Sequence, residues 1–206
     1  MPKIIIVWLT AALATGLFAQ NTQPAVDPKT ETIVLIRHAE KPLLGFGQIN
    51  CQGLNRALAL PDVLINKFGK AGLIYAPNPA DKVSDPGGTF DYIRPLITIE
   101  PTAVRLGLPV NCDFGYKDIK GMEAELLSPA HAGKLIFVVW EHEKLNDMVK
   151  DLLRTNGADP GQVPDWPGSD YDRIYVLRFS AVTHTISFTL DHESLDHLSD
   201  DCPSGK

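Results

Sequence analysis

The chain has 206 residues, of which 44% are hydrophobic, and this is enough for one globular domain with a sizeable core. It carries 19 lysine and arginine residues against 25 aspartate and glutamate residues, so its net charge is −6. The isoelectric point is about 5.4. An acidic balance of this kind argues against a nucleic acid or an anionic membrane surface as the partner.

The first 19 residues have the composition of a secretory signal peptide. Lys3 precedes the apolar residues 4–18, and the small Ala19 follows them, so we expect cleavage after Ala19. The apolar stretch is short for a membrane span of ~20 residues, although an uncleaved anchor is the alternative. Residues 20–31 form a polar lead-in, and one domain is expected over residues 32–206. The sequence therefore predicts a secreted or periplasmic protein without a membrane attachment.

Three cysteines follow the predicted signal peptide, namely Cys51, Cys112 and Cys202. An exported compartment permits one disulfide and leaves one thiol. Cys51 could pair with Cys112, or Cys202 could tie down the C-terminal tail, and the sequence leaves both pairings open. The spacing of the cysteines is not that of a metal site.

Strand-like apolar runs alternate along the chain with stretches of helical periodicity. The predicted strands are residues 32–37, 73–76, 135–140, 173–179 and 184–190. The predicted helices are residues 53–68, with Pro61 interrupting or restarting the helix, 90–106, 117–127 and 142–155. Alternation of this kind predicts a mostly parallel sheet with helices on both faces, and the last two strands predict a hairpin. We expect an α/β protein with a three-layer α/β/α sandwich and an antiparallel edge.

The first predicted strand ends in Arg37-His38. Ligands of open α/β sheets bind at the carboxyl edge of the strands. An arginine offers a planar fork of donors and a histidine offers a nucleophilic nitrogen, so the pair suits a phosphate. The strand 135–140 is followed in the same way by Glu141-His142. Parallel strands would bring both histidines to one edge.

A further arginine, Arg94, begins a predicted helix after the glycine-rich turn 86–88. At the same sheet edge it would complete a phosphate clamp, because helix starts and guanidinium groups both bind anions. Arg56 and Arg105 are the alternatives, and Arg56 lies one turn into the first predicted helix, close in sequence to Arg37.

With these residues the chain resembles the histidine phosphatase superfamily, also called the phosphoglycerate-mutase-like family. The matching segments are Arg37-His38-Ala39-Glu40-Lys41, Gly53-Leu54-Asn55-Arg56-Ala57, Tyr75-Ala76-Pro77-Asn78-Pro79 with Arg94 and Thr98, and Trp140-Glu141-His142. The order of the strands extends the resemblance to Leu190. The chain departs from the family pattern at Ala39, where many members have glycine, and in the long spacing from Asn78 to Arg94.

The resemblance implies that His38 is the nucleophile and becomes phosphorylated, while Arg37 and Arg94 bind the phosphoryl oxygens. It implies that His142 donates a further hydrogen bond to the charge that builds up in the transfer. Asn78 and the Arg56 alternative complete the candidate substrate-binding residues. Two arginines and a histidine can compensate the charge on the phosphoryl oxygens, so we expect hydrolysis of a small phosphate monoester without a metal or other cofactor.

The general acid is left open between Glu143, which directly follows His142, and Asp113, which lies between the motifs. One rival function is a phosphate-binding or sensor domain of the same fold with little or no catalysis. Another is a metal-dependent hydrolase that uses His142 with the tail histidines His192 and His197. Neither the identity of the substrate nor the oligomeric state follows from the sequence.

Overall fold

The computed structural model describes residues 29–203, so the predicted signal peptide and most of the lead-in lie outside the described residues. The strands are β1 (Thr30–Arg37), β2 (Leu73–Tyr75), β3 (Lys82–Asp85), β4 (Gly88–Asp91), β5 (Leu135–Trp140), β6 (Arg173–Ser180) and β7 (Thr185–His192). The helices are α1 (Cys51–Phe68), α2 (Arg94–Leu106), α3 (Ile119–Leu126) and α4 (His142–Thr155). Strand β1 begins two residues before the predicted domain boundary.

Five of these strands form one sheet in the order β2-β5-β1-β6-β7. Strands β2, β5 and β1 are parallel, whereas β6 and β7 run antiparallel to their neighbours. The predicted antiparallel edge is therefore confirmed. Arg37 lies opposite Trp140 in the register, so β1 and β5 end at the same level and their following residues share one edge of the sheet.

Helices cover both faces of the sheet, which confirms the three-layer α/β/α sandwich. Val34 and Ile36 of β1 pack under α1 and α2, and Ile33 and Leu35 pack under α3 and α4. Each such fully buried side chain stabilises the fold by about 1.5–3 kcal/mol. Strand β1 is apolar on both faces because a central strand has no solvent-facing side.

Within residues 29–203, none of the helices has the length and apolar character that crossing a membrane requires.

Helix α1 continues through Pro61, and the predicted interruption there is wrong. Pro61 is buried, as are Leu60 and Leu64 beside it. A proline inside a helix costs about 3 kcal/mol, and burial of this apolar face offsets that cost. The helix begins at Cys51 because Asn50 caps it, accepting a hydrogen bond from the backbone nitrogen of Gly53.

A small hairpin, β3–β4, surrounds the glycine-rich turn 86–88 and takes in the first residues of the helix predicted from residue 90. Phe90 lies in β4, and the helix predicted from residue 90 begins at Arg94. Pro95 in the first turn suits this start, because that position needs no backbone donor. The hairpin matters for the site because it carries Asp85.

A disulfide joins Cys51 at the start of α1 to Cys202 in the C-terminal tail, and Cys112 is free. The second of the two open pairings is therefore the one present. The bridge spans 151 residues of sequence. In a loop-closure model such a bridge stabilises the folded state by roughly 5 kcal/mol.

Candidate functional site

The structure places both predicted histidines at the carboxyl edge of the parallel strands. His38 directly follows β1, and its backbone nitrogen donates to the carbonyl oxygen of Trp140 at 3.0 Å. Glu141 and His142 directly follow that residue of β5. Both histidines thus follow parallel strands at one carboxyl edge of the sheet, as the sequence indicated.

The imidazole of His38 is buried and has a defined hydrogen-bond partner. Its Nδ1 lies 2.8 Å from the carbonyl oxygen of Ala39. A carbonyl only accepts hydrogen bonds, so Nδ1 carries the ring proton and Nε2 keeps its lone pair. Burial and the positive charges of Arg37 and Arg94 hold the pKa of His38 well below its usual value. His38 is therefore a neutral imidazole with a nucleophilic Nε2 at neutral pH.

The guanidinium group of Arg37 is held from one side only. Its Nη1 donates to the carbonyl oxygens of Gly168 at 2.8 Å and Asp170 at 2.9 Å. The Tyr171 ring lies under the guanidinium carbon, 3.8 Å from it. The buried Nε of Arg37 has no hydrogen-bond partner among the described residues. One donor of a buried cation thus stays available.

The guanidinium group of Arg94 is held in a similar way by a carboxylate. Its Nη2 donates to both oxygens of Asp85 at 2.9 Å, while its buried Nε and Nη1 have no partner in the described part of the chain. Burial by itself would raise the pKa of Asp85, but the hydrogen bonds from Arg94 and the Gly47 amide lower it. Asp85 is therefore an ionised anchor for Arg94.

The loop after His38 packs closely on these anchors. The backbone nitrogen of Arg94 donates to the carbonyl oxygen of Gly47 at 2.9 Å. Gly47 has a φ of +65°, and a Cβ there would lie 1.9 Å from the carbonyl oxygen of Asp91. Only glycine permits this approach. Thr98 adds a second link, since its hydroxyl accepts from the Ala39 nitrogen and donates to the Arg94 carbonyl oxygen.

Two tyrosines flank the His38 ring. The ring centroid of Tyr92 lies 6.2 Å from that of His38, and the ring centroid of Tyr171 lies 6.1 Å away. The hydroxyl of Tyr92 is also buried without a hydrogen-bond partner among the described residues. Leaving a buried donor unmatched costs about 1–3 kcal/mol. An anion bound beside the neutral imidazole would give these unpaired donors of Arg37, Arg94 and Tyr92 the hydrogen-bond acceptor that they lack among the described residues.

His142 is oriented by its neighbour Glu141. The Glu141 carboxylate contacts Nδ1 of His142 and accepts from the backbone nitrogen of Lys144, which makes it the cap of α4. Burial alone would raise the pKa of Glu141, but the hydrogen bonds from His142 and from backbone amides lower it to about 2. A Cβ on Gly168 would lie 3.6 Å from Nε2 of His142, so this atom is beside the group that holds Arg37.

Neither predicted general acid lies among the groups whose charge acts on His38. Asp113 and Glu143 are both exposed. Glu141 is the carboxylate whose charge acts on both His38 and Arg37, and it is not among the site residues predicted from the sequence. Its position directly after a buried strand and before His142 is the signal that could have found it. Asp85, Tyr92 and Tyr171 have no such signal, because they approach the site only through the fold.

Two other predicted binding residues have protein partners. The side-chain oxygen of Asn78 accepts from the backbone nitrogen of Ala80. Arg56 is buried, and its guanidinium group donates to Glu40, Glu193 and Asp196. We therefore leave Arg56 out of the anion site. The alternative Arg105 pairs with Asp62 at the surface.

Within residues 29–203 no His, Cys, Asp and Glu side chains are grouped as metal ligands would be.

No protein-family model and no curated protein sequence matches the chain. Solved structures do match. The phosphoglycerate mutase from Plasmodium falciparum is 15% identical with a TM-score of 0.54, over 86% of this chain and 99% of that one. A mycobacterial glucosyl-3-phosphoglycerate phosphatase in complex with inorganic phosphate is 14% identical with a TM-score of 0.53, over 78% and 95%. A protein named mycobacterial hydrolase 2 is 15% identical with a TM-score of 0.55, over 79% and 89%.

At these identities the comparisons establish the fold. They show the fold alone, and the α/β fold expected from the sequence is confirmed.

Proposed function

We propose that the chain is a metal-independent phosphate monoester hydrolase that acts through a phosphohistidine on His38. The observation that carries this proposal is a buried neutral imidazole under the charge of Arg37 and Arg94, three of whose buried donors lack partners among the described residues. A phosphatase that binds inorganic phosphate on the same fold adds support. The substrate would be a small phosphorylated molecule.

In the first step the lone pair of His38 Nε2 attacks phosphorus in line, and the bond from phosphorus to the alcohol oxygen breaks. Arg37 and Arg94 stabilise the charge on the three equatorial oxygens, and His142 acts on the charge that builds up on the leaving oxygen. Water then attacks the phosphohistidine and returns a proton to the group that protonated the leaving alcohol, the bond from phosphorus to Nε2 breaks, and inorganic phosphate leaves. The covalent intermediate divides one difficult reaction into two easier ones.

The departing alkoxide needs a proton. With a pKa of about 2, Glu141 is ionised at neutral pH and cannot supply it. The two acids expected from the sequence, Asp113 and Glu143, are exposed. We therefore assign the proton transfer to Nε2 of His142, which gives a proton to the alkoxide and takes one back from the attacking water, with Glu141 holding the ring in place through Nδ1.

The test is hydrolysis of 4-nitrophenyl phosphate in the presence of EDTA, combined with acid-labile phosphate trapping on the protein. Wild type should turn over and trap phosphate on His38, and His38→Ala should lose both. His184→Ala changes an exposed histidine in the β6–β7 hairpin and is the matched control. Undiminished turnover by His38→Ala would overturn the proposal.

We further propose that the protein is exported, with residues 1–19 removed and residues 32–206 forming the domain. The Cys51–Cys202 disulfide supports this proposal, because such bonds persist in oxidising compartments. N-terminal sequencing of protein recovered from outside the cytoplasm should begin at Gln20. Recovery only as reduced, full-length protein inside the cell would contradict export.

A phosphate-binding or sensor domain is the second candidate. The position of both predicted acids on the exposed surface favours it, because a site without an acid binds phosphate but turns over slowly. Saturable phosphate binding by wild type with no detectable turnover or trapping would select this function over hydrolysis.

A further inference from the structure

The guanidinium group of Arg56 is the buried centre of an ionic cluster, which we define as Arg56, Glu40, Asp172, Glu193 and the exposed Asp196. Arg56 Nε and Nη2 donate to Glu40 at 2.7–3.0 Å, and Nη1 donates to Glu193 at 2.6 Å. Nη2 also donates to Asp196 at 2.9 Å. All three nitrogens of this arginine are therefore engaged, and the cluster has two ends that lead towards the anion site.

The first end is Glu40, two residues after His38 in the chain. The backbone nitrogen of Asn50 donates to the carbonyl oxygen of Glu40 at 2.9 Å. A Cβ on Gly53 would lie 2.4 Å from the same oxygen, so α1 packs directly on this backbone. Arg56 and the start of α1 thus hold the backbone that carries the imidazole of His38.

The second end is Asp172, which lies beside the residues that hold Arg37. Its Oδ1 lies 3.8 Å from Arg56 Nη1, and its carbonyl oxygen accepts from the backbone nitrogen of Glu193 at 2.7 Å. Its own backbone nitrogen donates to the Asp170 carboxylate. Segment 170–172 therefore connects the ionic cluster to the carbonyl group and the tyrosine ring that hold Arg37.

We propose that Arg56 is a positioning residue, which holds the backbone after His38 and segment 170–172 in register so that His38 and Arg37 meet one phosphoryl group. The inference rests on the proposed function, since it concerns the geometry of the same site. Misplacing a reacting group by about 1 Å costs on the order of 10²-fold in rate. Arg56 never touches the substrate and acts through Glu40 and Asp172.

Stability alone does not account for this arrangement. Burying one cation among several carboxylates carries a large desolvation cost, and apolar side chains of similar volume often stabilise a fold as well. The planar guanidinium group of Arg56 donates hydrogen bonds in fixed directions, so it sets the angle between the groups that it joins, which apolar packing does not. A lysine in the same place would keep the charge and lose those directions.

The experiment compares Arg56→Lys with Arg105→Lys, which alters an exposed arginine of α2 paired with Asp62 of α1. Turnover of 4-nitrophenyl phosphate is expressed per folded molecule, from unfolding curves and the amount of trapped phosphohistidine. For Arg56→Lys we expect kcat to fall on the order of 100-fold, with a smaller change in KM. The Arg105→Lys variant should match wild type. An unchanged kcat per folded molecule in Arg56→Lys would overturn the inference and leave the proposed function intact.

Glu193→Gln serves as a second variant if Arg56→Lys does not fold. It keeps the shape and one acceptor oxygen, so we expect a loss of kcat on the order of tenfold. If Arg56→Lys does not fold and Glu193→Gln has the kcat of wild type, Arg56 only stabilises the fold, and the inference is overturned.

A second readout separates this inference from the proposed function. The affinity for inorganic phosphate is measured from the ¹⁵N shift of the His38 ring in wild type and Arg56→Lys. If wild type has no turnover, the proposed hydrolysis fails, and a loss of phosphate affinity on the order of tenfold in Arg56→Lys would still support positioning of the anion site. Equal affinity in the two proteins, or no phosphate binding to wild type, would overturn it.

Discussion

Two groups of buried arginines differ in how their donors are used. Arg56 is 1% exposed, and each of its nitrogens donates to a carboxylate. Arg37 and Arg94 are 3% and 2% exposed, yet three of their nitrogens have no partner among the described residues. Burial and residue type are alike, so neither distinguishes Arg56 from the two arginines of the proposed anion site. The unmatched donors make that distinction, because a folded chain leaves such groups unpaired only at a cost.

The largest expected effect is on the structural side of this comparison. Arg56→Met should lower the free energy of unfolding by about 3–5 kcal/mol, because it leaves buried carboxylates without their cation. Urea denaturation measures the change. Arg105→Met at the surface is the control and should change the free energy by less than about 1 kcal/mol. A loss of less than about 1 kcal/mol in the free energy of unfolding for Arg56→Met would contradict a structural role for this arginine.

On the ligand side, Arg37→Met should lose activity and keep its stability. We expect kcat/KM for an aryl phosphate to fall on the order of 10²–10³-fold, which is about 2.7–4 kcal/mol of transition-state stabilisation. The free energy of unfolding should stay within about 1 kcal/mol, because Arg37 donates only to backbone carbonyls that lie near solvent. Destabilisation equal to that of Arg56→Met would contradict the distinction.

Phosphate should stabilise the protein through the unmatched donors. At a concentration of about 100 times its Kd, an anion that binds only the folded state adds about 2.7 kcal/mol. Thermal unfolding with and without phosphate measures this gain in wild type, in Arg94→Gln and in Arg105→Gln as control. The gain should disappear in Arg94→Gln alone. Equal gains in all three proteins would place the anion elsewhere.

The smallest effect concerns Glu31, a buried carboxyl at the other end of β1, one of whose oxygens has no hydrogen-bond partner within residues 29–203. Burial raises the pKa of Glu31 from 4.5 to about 8, although Lys134 opposes the shift. A carboxyl whose folded pKa is raised loses its stabilising contribution as the pH rises from about 4.5 to 8. Glu31→Gln should remove that decline and melt a few degrees above wild type at pH 9. Parallel melting curves across this range would contradict the assignment.

Much of the fold could be predicted because its signals are local. The apolar run of β1 and the strand β5 followed by α4 appear directly in the sequence, and the structure has β5 and α4 at the predicted bounds. The β3–β4 hairpin could not be predicted in this way. Its strands have four residues each, mostly polar and half exposed, so no periodicity separates them from a loop.

The sequence by itself determined that Arg37-His38 and Glu141-His142 follow buried parallel strands, since hydrophobic patterning acts over a few neighbouring residues. Tertiary structure decided which arginines keep unpaired donors in the described part of the chain and which arginine has a carboxylate on every nitrogen. The partners of Arg56 lie as far as 140 residues away, and Arg94 depends on a hairpin with a weak pattern. The charge of a side chain follows from its residue type, but its hydrogen-bond partners come from chain segments that meet only when the protein folds.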